Sequence, residues 1–366
     1  MRRFVALLNS RQSDRCNIIS SRRLFSSKAT AEDDDCQPIL TQQSKKHTAH
    51  VRSALSSGPL PYEKGWAWQH VMLHRRLNYL RQMEKRSTEA IKDNSKHQHH
   101  DENDNDCILL FEHEPVYTLG RGASEDHLTF LNNEIDGGAD KRRRLNRKYR
   151  GKDASRLNID NQNLQSSSES MSLEDEVNHL WEQSLHNSNR SNSFPPVCAP
   201  NGAPIYRIER GGEVTYHGPG QLVMYPLLNL KQHSPPYQQD LHWYLRQIEE
   251  VIIQTLEKFN IQSNRDDINT GVWVGKNKIA AVGVSSSRWI TTHGLALNVS
   301  PNLNHFDKDI ITPCGIEERG VTSIANVLGE EGGEAPTVEE VGYVALRCFE
   351  DVFNVDLIRH DDTNIS

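Results

Sequence analysis

The chain has 366 residues, a formal net charge of −7 and a hydrophobic share of 36%. That share is below the roughly 45–50% of globular domains, and the polar residues are concentrated in a few segments, so we expect one folded domain interrupted by disordered chain. The acidic balance argues against a general nucleic-acid binder. The six cysteines form no CxxC pair, which argues against a disulfide framework and a cysteine zinc site.

Residues 1–31 have the composition of an organellar transit peptide. They contain seven basic residues and a single acid, Asp14, and acidic residues begin abruptly at Glu32. The apolar run VALL is too short for a secretory core or a membrane span. We therefore expect a transit peptide, with the arginine-rich start favouring a mitochondrial over a plastid address; a disordered basic tail is the alternative.

Polar composition predicts the domain boundaries. We expect a linker at 32–57, a single catalytic domain at 58–355 and a tail at 356–366, with polar insertions into the domain at 84–106 and 131–200. A long loop inside a compact domain is either functional or disordered, and the composition favours disorder.

Two features of these insertions could be functional. His97, His99 and His100 could bind a metal ion, and the basic run 141–152 could dock an acidic carrier protein. No helix or strand pattern accompanies the histidines, so a solvated loop is the expectation for both features.

The remaining chain alternates helix and strand patterns. In chain order these are an amphipathic helix from Tyr62, a buried strand with an exit loop at 107–120, strands at 205–209 and 221–230, a helix capped by Asp240, a hairpin at 271–284 turning at 275–277, a strand at 290–300, and a helix opened by a Thr337–Glu340 capping box. This order predicts an α/β (α+β) domain with a mixed, largely antiparallel sheet and flanking helices. Cys348 lies on the apolar face of the last helix and is predicted to pack in the core.

The sequence contains no GxGxxG motif after a strand and no Walker A pattern, so no motif supports a nucleotide-binding fold.

Cys314 is a candidate nucleophile. Pro313 fixes the backbone before it and Gly315 removes bulk after it, so the thiol could meet a bulky acyl group. An ordinary half-buried cysteine is the alternative, and the Pro-Cys-Gly setting alone does not decide between them.

A nucleophilic cysteine needs a base or cation, because a free thiol with a pKa near 8.5 is mostly protonated at neutral pH. The histidines available are His113, His217, His293 and His305, and the sequence alone does not select among them. Lys278 begins an apolar strand, where burial would disfavour its charged form and make it a useful base; a lysine in solvent at the strand start is the alternative.

Several separate motifs carry a family resemblance. The chain segments EHEPVYTLGRGA, RGGEVTYHGPGQLVMYP, KIAAVGV, THGLALNV and PCGI occur in this order between about Tyr62 and Phe353. Together they resemble the lipoyl(octanoyl) transferases, the octanoyl-[acyl-carrier-protein]:protein N-octanoyltransferases of lipoate biosynthesis and protein lipoylation.

The resemblance implies a fold shared with biotin and lipoate protein ligases. It also implies that Cys314 is the acyl-thioester nucleophile and that Lys278 favours its thiolate. The substrate-binding residues that it implies are Arg210, Gly211, Gly212, Glu213, Val214, Thr215, Tyr216, His217, Ala281, Val282, Gly283, Gly294, Leu295 and Ala296. Many of these are small, which suits a narrow apolar slot for an eight-carbon chain, and the Gly218-Pro219-Gly220 turn is expected to aim Tyr216 and His217 at the substrate.

The implied reaction moves an octanoyl group from the phosphopantetheine of an acyl carrier protein to the target lysine of a lipoyl domain. The expected acceptors are the E2 subunits of 2-oxoacid dehydrogenases and the glycine cleavage H protein, and no ATP, metal ion, nucleic acid or membrane is expected to take part. The rival interpretations are an ATP-dependent lipoate protein ligase or octanoyl amidotransferase of the same fold, and a catalytically dead binding protein.

Overall fold

The computed structural model describes residues 46–90, 105–131, 138–142, 145, 171–190, 197–231, 236–312, 319–330 and 332–360. Its strands are β1 (His47–Ser53), β2 (Asp106–Phe111), β3 (Val116–Leu119), β4 (Ile205–Arg207), β5 (Val214–His217), β6 (Gln221–Leu227), β7 (Asn264–Arg265), β8 (Val272–Val274), β9 (Asn277–Ser287), β10 (Ile290–Asn298) and β11 (Val355–Arg359). The α-helices are α1 (Tyr62–Ala90), α2 (Leu173–Arg190), α3 (Leu241–Glu257), α4 (Ile324–Glu330) and α5 (Val338–Phe353). Short 3-10 helices occupy Leu55–Ser57, Glu125–His127, Thr129–Leu131 and Leu303–Phe306.

The described strands form two sheets. The larger has the order β11-β1-β2-β6-β10-β9-β8-β7 and the smaller has the order β4-β3-β5. In the larger sheet β1 runs parallel to β2 and to β11, and the other neighbours are antiparallel; in the smaller sheet β3 is parallel to β4 and antiparallel to β5. The expected α/β class with a mixed, largely antiparallel sheet is confirmed.

Helices cover both faces of the larger sheet. After Asp106 the strand β2 is an apolar run, and its alternate side chains enter two different cores: Ile108 and Leu110 pack with α3 and α5, whereas Leu109 and Phe111 pack with α1 and α2. Side chains of successive strand residues point to opposite faces, so a strand buried on both sides has to be apolar throughout. The smaller sheet has its own cluster around Tyr117 and Tyr216.

Three local predictions are confirmed, two by hydrogen bonds and one by burial. Asp240 caps α3 by accepting from the backbone N–H of His242 at 2.7 Å. Thr337 and Glu340 form the reciprocal capping box of α5, with bonds of 3.2 and 2.9 Å. Cys348 is buried in the core beside α3, and burial raises the pKa of its thiol.

Two boundaries differ from the expectation. The predicted linker at 32–57 contains β1, which is paired on both edges and buries Ala49 and Val51, and the predicted tail at 356–366 contains most of β11. Both strands are short and contain charged or other polar residues, so their composition hides them. A strand needs only every second side chain to be apolar.

The expectation that residues 131–200 lie outside the core is wrong for α2. This helix buries Val177 and Leu180 against Trp68 of α1. Ser172 accepts from the backbone N–H of Asp175 at 3.1 Å at its start. Apolar residues at helical spacing were present within the polar surroundings, and tertiary packing stabilises the helix they predict.

Two predicted elements also have different bounds. The run at 107–120 is not one strand with a loop: it forms β2 in the larger sheet and β3 in the smaller one, and residues 112–115 separate the two strands. The helix α1 continues to Ala90, which is seven residues into the predicted insertion at 84–106.

Several expectations concern residues outside the described ranges, namely the transit peptide at 1–31, the histidines His97, His99 and His100, and Cys314. Within the described part of the chain, no helix is long and apolar enough to cross a membrane.

Candidate active site

A cavity of about 290 Å³ lies where the motif segments meet. This volume is at the lower end of the range for small-ligand sites, which begins near about 300 Å³. Of the residues expected to bind substrate or to assist the nucleophile, those that line it are Arg210, Gly211, Gly212, Glu213, Val214, Thr215, His217, Lys278, Ala281, Val282, Gly283, Gly294, Leu295 and Ala296. Segments that are up to 86 positions apart in the sequence therefore line the same cavity.

Further lining residues were not among those expected to bind substrate. They are Tyr62, Ile208, Tyr225, Leu245, Ile268, Asn269, Thr270, Val284 and His293. Tyr62 opens α1 and Leu245 lies on α3, so their positions depend on how the helices pack against the sheet, and no local pattern predicts that. His293 is the exception, because the sequence had already singled it out as a candidate base.

The path of the loop 210–213 depends on two glycines, one in the loop and one on β9. Gly212 adopts φ = 90°, a conformation that favours glycine. Across the cavity wall, a Cβ on Gly283 would lie 3.0 Å from the carbonyl oxygen of Gly211 and 3.2 Å from Cδ of Arg210. Gly283 thus lets the loop approach β9, and the N–H of Gly211 donates to the carbonyl of Val284 at 3.0 Å.

Arg210 is a buried cation that is held by oxygen acceptors. Its guanidinium donates to the carbonyl of Thr118 at 2.9 Å, to Oγ1 of Thr118 at 2.8 Å and to the carbonyl of Gly211 at 3.0 Å. A buried charge is tolerated when such hydrogen bonds replace water. These bonds fix the guanidinium at the cavity wall.

His217 is held neutral at the cavity wall. Its Nδ1 bonds to Oε1 of Gln221 at 2.7 Å and its Nε2 lies 3.4 Å from Oγ1 of Thr118. Burial, with a further contribution from His113, keeps the pKa of His217 well below its usual range.

The other three histidines that were candidate bases differ in position. Burial lowers the pKa of His293, which lines the cavity, to about 3, and that of His113 to about 4. His113 lies behind Tyr225, whose hydroxyl is 3.3 Å from its Nε2. His305 stacks on Tyr216 with ring centroids 4.6 Å apart, and it does not line the cavity.

Tyr216 does not face the cavity. Its ring packs into the core of the smaller sheet against Tyr117 and Phe306. Tyr216 and His217 are successive residues of β5, so their side chains leave the strand on opposite faces, and of the two only His217 lines the cavity. The expectation that the Gly-Pro-Gly turn aims both of them at the substrate is therefore corrected to His217 alone.

Glu209 anchors α1 next to the cavity. Its Oε1 lies 2.5 Å from Nε2 of His70 and accepts from Nε1 of Trp66 at 3.2 Å. Burial by itself would raise the pKa of Glu209, but the hydrogen bond and charge of His70 lower it to about 2. The backbone N–H of His293 is fixed by the same helix, since it donates to Oε1 of Gln69 at 2.6 Å.

Lys278 lies at the end of the cavity formed by the loop 268–270. It is 7% exposed, and its Nζ donates to the carbonyl of Thr270 at 2.9 Å. The same Nζ lies 4.7 Å from the centroid of the Trp273 ring, and Cζ of Arg319 lies 4.6 Å from that centroid. The alternative of a solvated lysine at the strand start is thus excluded by the structure.

The loop that holds Lys278 is itself fixed. Oδ1 of Asp266 accepts from the backbone N–H groups of Ile268 and Asn269 at 2.9 and 2.7 Å. Its Oδ2 forms an ion pair with Arg319. These bonds orient the carbonyl of Thr270 toward the ammonium group.

Cys314 lies outside the described residues, but both flanks of the segment 313–318 are described. On one side, the N–H of Thr312 donates to the carbonyl of His127 at 2.8 Å, and Nδ1 of His127 lies 2.9 Å from Oε2 of Glu213, which lines the cavity. On the other side, the N–H of Lys278 donates to the carbonyl of Gly320 at 2.9 Å. The residues on both sides of this segment, Thr312 and Gly320, are therefore hydrogen-bonded close to residues that line the cavity.

The described residues contain no group of three or more His, Cys, Asp or Glu side chains that could hold a metal ion. The side chains that line the cavity are Lys278 at one end, Arg210 and Glu213 in the loop 210–213, neutral imidazoles and small apolar residues. The small apolar residues suit an extended apolar chain.

Sequence comparison assigns this domain to a known family of enzymes. Residues 186–350 match the family described as lipoyl protein ligase A/B catalytic domain. An octanoyltransferase of Nostoc punctiforme is 34% identical over 303 residues, covering 83% of this chain and 89% of the relative. A chloroplastic octanoyltransferase of Arabidopsis thaliana is 32% identical over 305 residues, covering 81% and 76%.

The chain belongs to the octanoyltransferase family, and it is an enzyme, a lipoyl(octanoyl) transferase. Solved structures similar to it include a lipoate-protein ligase A bound with ATP, with a TM-score of 0.46 and 12% identity over 87% of this chain and 89% of that one. A bipartite lipoate protein ligase from Thermoplasma acidophilum also gives 0.46 and 12%, over 87% of each chain.

The comparison contradicts the expected mitochondrial location. The plant relative is chloroplastic and the Nostoc relative is bacterial. Mitochondrial and chloroplast transit peptides are both rich in arginine and serine and poor in acids, so the composition of residues 1–31 does not distinguish the two organelles.

Proposed function

We propose that this enzyme transfers an octanoyl group from an acyl carrier protein to the target lysine of a lipoyl domain, through a thioester on Cys314. The observation that carries the proposal is the cavity itself, which combines small residues of β9 and β10 with a buried, oriented lysine at one end. An extended acyl chain gains about 0.8 kcal/mol for each methylene that such a wall removes from water.

The position of Cys314 is supported by its described neighbours. Thr312 is tied through His127 to the cavity residue Glu213, and Cys314 is two residues further along the chain. Two residues span at most about 7 Å. Gly320, on the other side of Cys314, bonds directly to the backbone of Lys278.

The first half-reaction forms the acyl-enzyme. The Cys314 thiolate, whose proton passes to Lys278, attacks the carbonyl carbon of the octanoyl thioester. A bond from that carbon to the sulfur of Cys314 forms, the bond to the phosphopantetheine sulfur breaks, and the leaving thiolate takes up the proton. One thioester replaces another, so the step is close to isoenergetic.

The second half-reaction forms the product amide. The ammonium group of the target lysine first gives one proton to Lys278, which releases it to solvent, and the resulting neutral amine attacks the acyl carbon. As the amide forms, the nitrogen loses a second proton, which passes through Lys278 to the sulfur of Cys314 while the carbon–sulfur bond breaks. An amide is more stable than a thioester, so the transfer needs neither ATP nor a metal ion. The carbonyl of Thr270 would hold Lys278 in place through both steps.

An acyl-transfer assay tests this function. Octanoyl carrier protein and an apo lipoyl domain should give octanoylated domain at the same rate with and without ATP, and Cys314→Ala should abolish it. The matched control is Cys198→Ala, which removes a partly buried cysteine away from the cavity. Transfer of free octanoate or lipoate that requires ATP and survives Cys314→Ala would overturn the proposal in favour of a ligase.

A further inference from the structure

Two amide side chains behind the cavity belong to neither the expected site nor the cavity wall. Gln221 begins β6 and Asn298 ends β10, where they face each other across the antiparallel pair. Both are buried, with 2% and 4% of their surfaces exposed. Buried amides have to be hydrogen-bonded. Here the hydrogen bonds connect His217 on one side to Thr322 on the other.

The backbone carbonyl of Thr322 determines which end of each amide is nitrogen and which is oxygen, because a carbonyl oxygen can only accept a hydrogen bond. The carbonyl of Thr322 lies 3.0 Å from one end of the Asn298 amide, so that end is Nδ2 and the other is Oδ1. Oδ1 in turn lies 2.9 Å from the Gln221 amide, which requires Nε2 there. The same Nε2 also donates to the carbonyl of Tyr216 at 3.2 Å.

The remaining end of Gln221 is therefore an acceptor. Its Oε1 lies 2.7 Å from Nδ1 of His217, which can bond to it only as Nδ1–H. The other tautomer would place two lone pairs against each other at that distance. The neutral ring then has its lone pair on Nε2, facing the hydroxyl of Thr118 at 3.4 Å.

This tautomer matters for the cation at the cavity wall. Oγ1 of Thr118 accepts from the guanidinium of Arg210 at 2.8 Å and can turn its own hydrogen toward His217. The chain of bonds also reaches Lys278, since the N–H of Thr322 donates to the carbonyl of Lys278 at 3.0 Å. One directed network thus joins Arg210 and His217 to the segment beside Lys278.

We propose that Gln221 is a positioning residue for octanoyl transfer: anchored by Asn298 and Thr322, it fixes His217 as the neutral Nδ1–H tautomer and thereby orders Thr118 and Arg210 at the cavity wall. The inference rests on the proposed function for its link to catalysis, and on the hydrogen-bond network alone for the tautomer.

The groups that face His217 come from several elements. They are His113 after β2, with ring centroids 6.0 Å apart, Tyr62 of α1 at 6.3 Å, the guanidinium of Arg210 and the ring of His293. The charge of Arg210 opposes protonation of His217, and burial keeps the pKa of His113 and of His293 low, so both rings are neutral and supply no negative charge that would favour it. Only a carboxylate introduced beside Nδ1 would favour it, and that is the basis of the test.

Gln221→Glu makes this change with little change in shape. The carboxylate keeps an acceptor for Nδ1–H but loses the donor to Asn298 and to Tyr216, and its charge favours the imidazolium. Nitrogen-15 NMR of labelled histidine, with His217→Gln used to assign the resonances, should show a protonated Nδ1 and an unprotonated Nε2 in the wild type. In Gln221→Glu both nitrogens should be protonated at about pH 6.5, and kcat for octanoyl transfer should fall at least about tenfold.

Gln221→Met is the second variant, since it fills the same space without a charge or an amide. It should leave His217 neutral but in mixed tautomers, with an intermediate loss of kcat. A wild-type spectrum with Nε2 protonated overturns the inference without reference to any variant. So does a Gln221→Glu enzyme that carries the imidazolium and transfers at the wild-type rate. Failure of the wild type to form octanoylated domain would instead overturn the proposed function and leave the tautomer result standing.

Discussion

The ammonium group of Lys278 donates a 2.9 Å hydrogen bond to the backbone carbonyl of Thr270, inside the cavity that both residues line. The bond fixes the position of the ammonium group at the wall. It holds the one lysine among the described cavity residues at the point where we expect the thioester to react.

Replacing Lys278 with methionine should remove the base and keep the packing. We expect octanoyl transfer to fall by about 100- to 10,000-fold, the usual range for a general base. Iodoacetamide labelling of the Cys314 peptide should slow at about pH 7 and much less at about pH 10, where an ordinary thiol is already ionised. Lys276→Met, in the exposed β8–β9 turn, is the matched control. Equal slowing at both pH values would remove Lys278 from the activation of the thiol.

The width of the acyl slot should set the preferred chain length. Ala281 lies on β9 at the cavity wall, and Ala281→Leu would fill space next to the acyl chain. Each methylene that no longer fits costs about 0.8 kcal/mol, or about fourfold, so the preference for octanoyl over hexanoyl carrier protein, which differ by two methylenes, should fall by roughly 15-fold. The exposed Ala335→Leu is the control. An unchanged ratio of kcat/KM for the two donors would place the acyl chain elsewhere.

Burial of His113 should make stability depend on pH. Its pKa is about 4 in the folded protein and about 6.5 in an unfolded chain, so unfolding takes up a proton between these values. The contribution of neutral His113 is complete above about pH 6.5 and is lost as the pH falls toward 4.

Urea unfolding of the wild type and His113→Gln measures this contribution. The drop in unfolding free energy between about pH 7.5 and 5.5 should be smaller in the variant by about 1 kcal/mol. The exposed His242→Gln should leave the drop unchanged. An identical drop in the wild type and His113→Gln would show that His113 does not resist protonation in the folded state.

The helix α2 should contribute to the core although it lies in a polar insertion. Leu180→Ala should lower the unfolding free energy by about 2–5 kcal/mol, the cost of a large-to-small change in a packed core. His179→Ala, on the exposed side of the same helix, should change it by less than about 0.5 kcal/mol. Equal effects of the two changes in urea unfolding would mean that α2 does not pack against α1.

Part of the site could be predicted because its determinants are local. The glycines at 211, 212 and 283 and the apolar run after Lys278 report a tight loop and a buried strand, and the structure brings them to one cavity. The strand alternation that turns Tyr216 away from its neighbour His217 is equally local. The family resemblance implied a continuous run of substrate-binding residues, and it did not distinguish the two faces of the strand on which they lie. Tyr216 was therefore expected to face the substrate together with His217.

Other parts could not be predicted because they depend on distant contacts. The strands β1 and β11 are stabilised by pairing with each other, more than 300 positions apart in the chain. Tyr62 and Leu245 reach the cavity only through the packing of α1 and α3. The network from Thr322 to His217 likewise joins residues that no local pattern relates.

The most direct test of the account is to trap the acyl-enzyme. Octanoyl carrier protein is mixed with the enzyme in the absence of a lipoyl domain, quenched in acid and analysed by peptide mass spectrometry. We predict one octanoyl group, on the peptide containing Cys314, which is present in Cys198→Ala, absent in Cys314→Ala and discharged when an apo lipoyl domain is added. An octanoyl group on another residue, or product formation without any such adduct, would contradict the thioester mechanism.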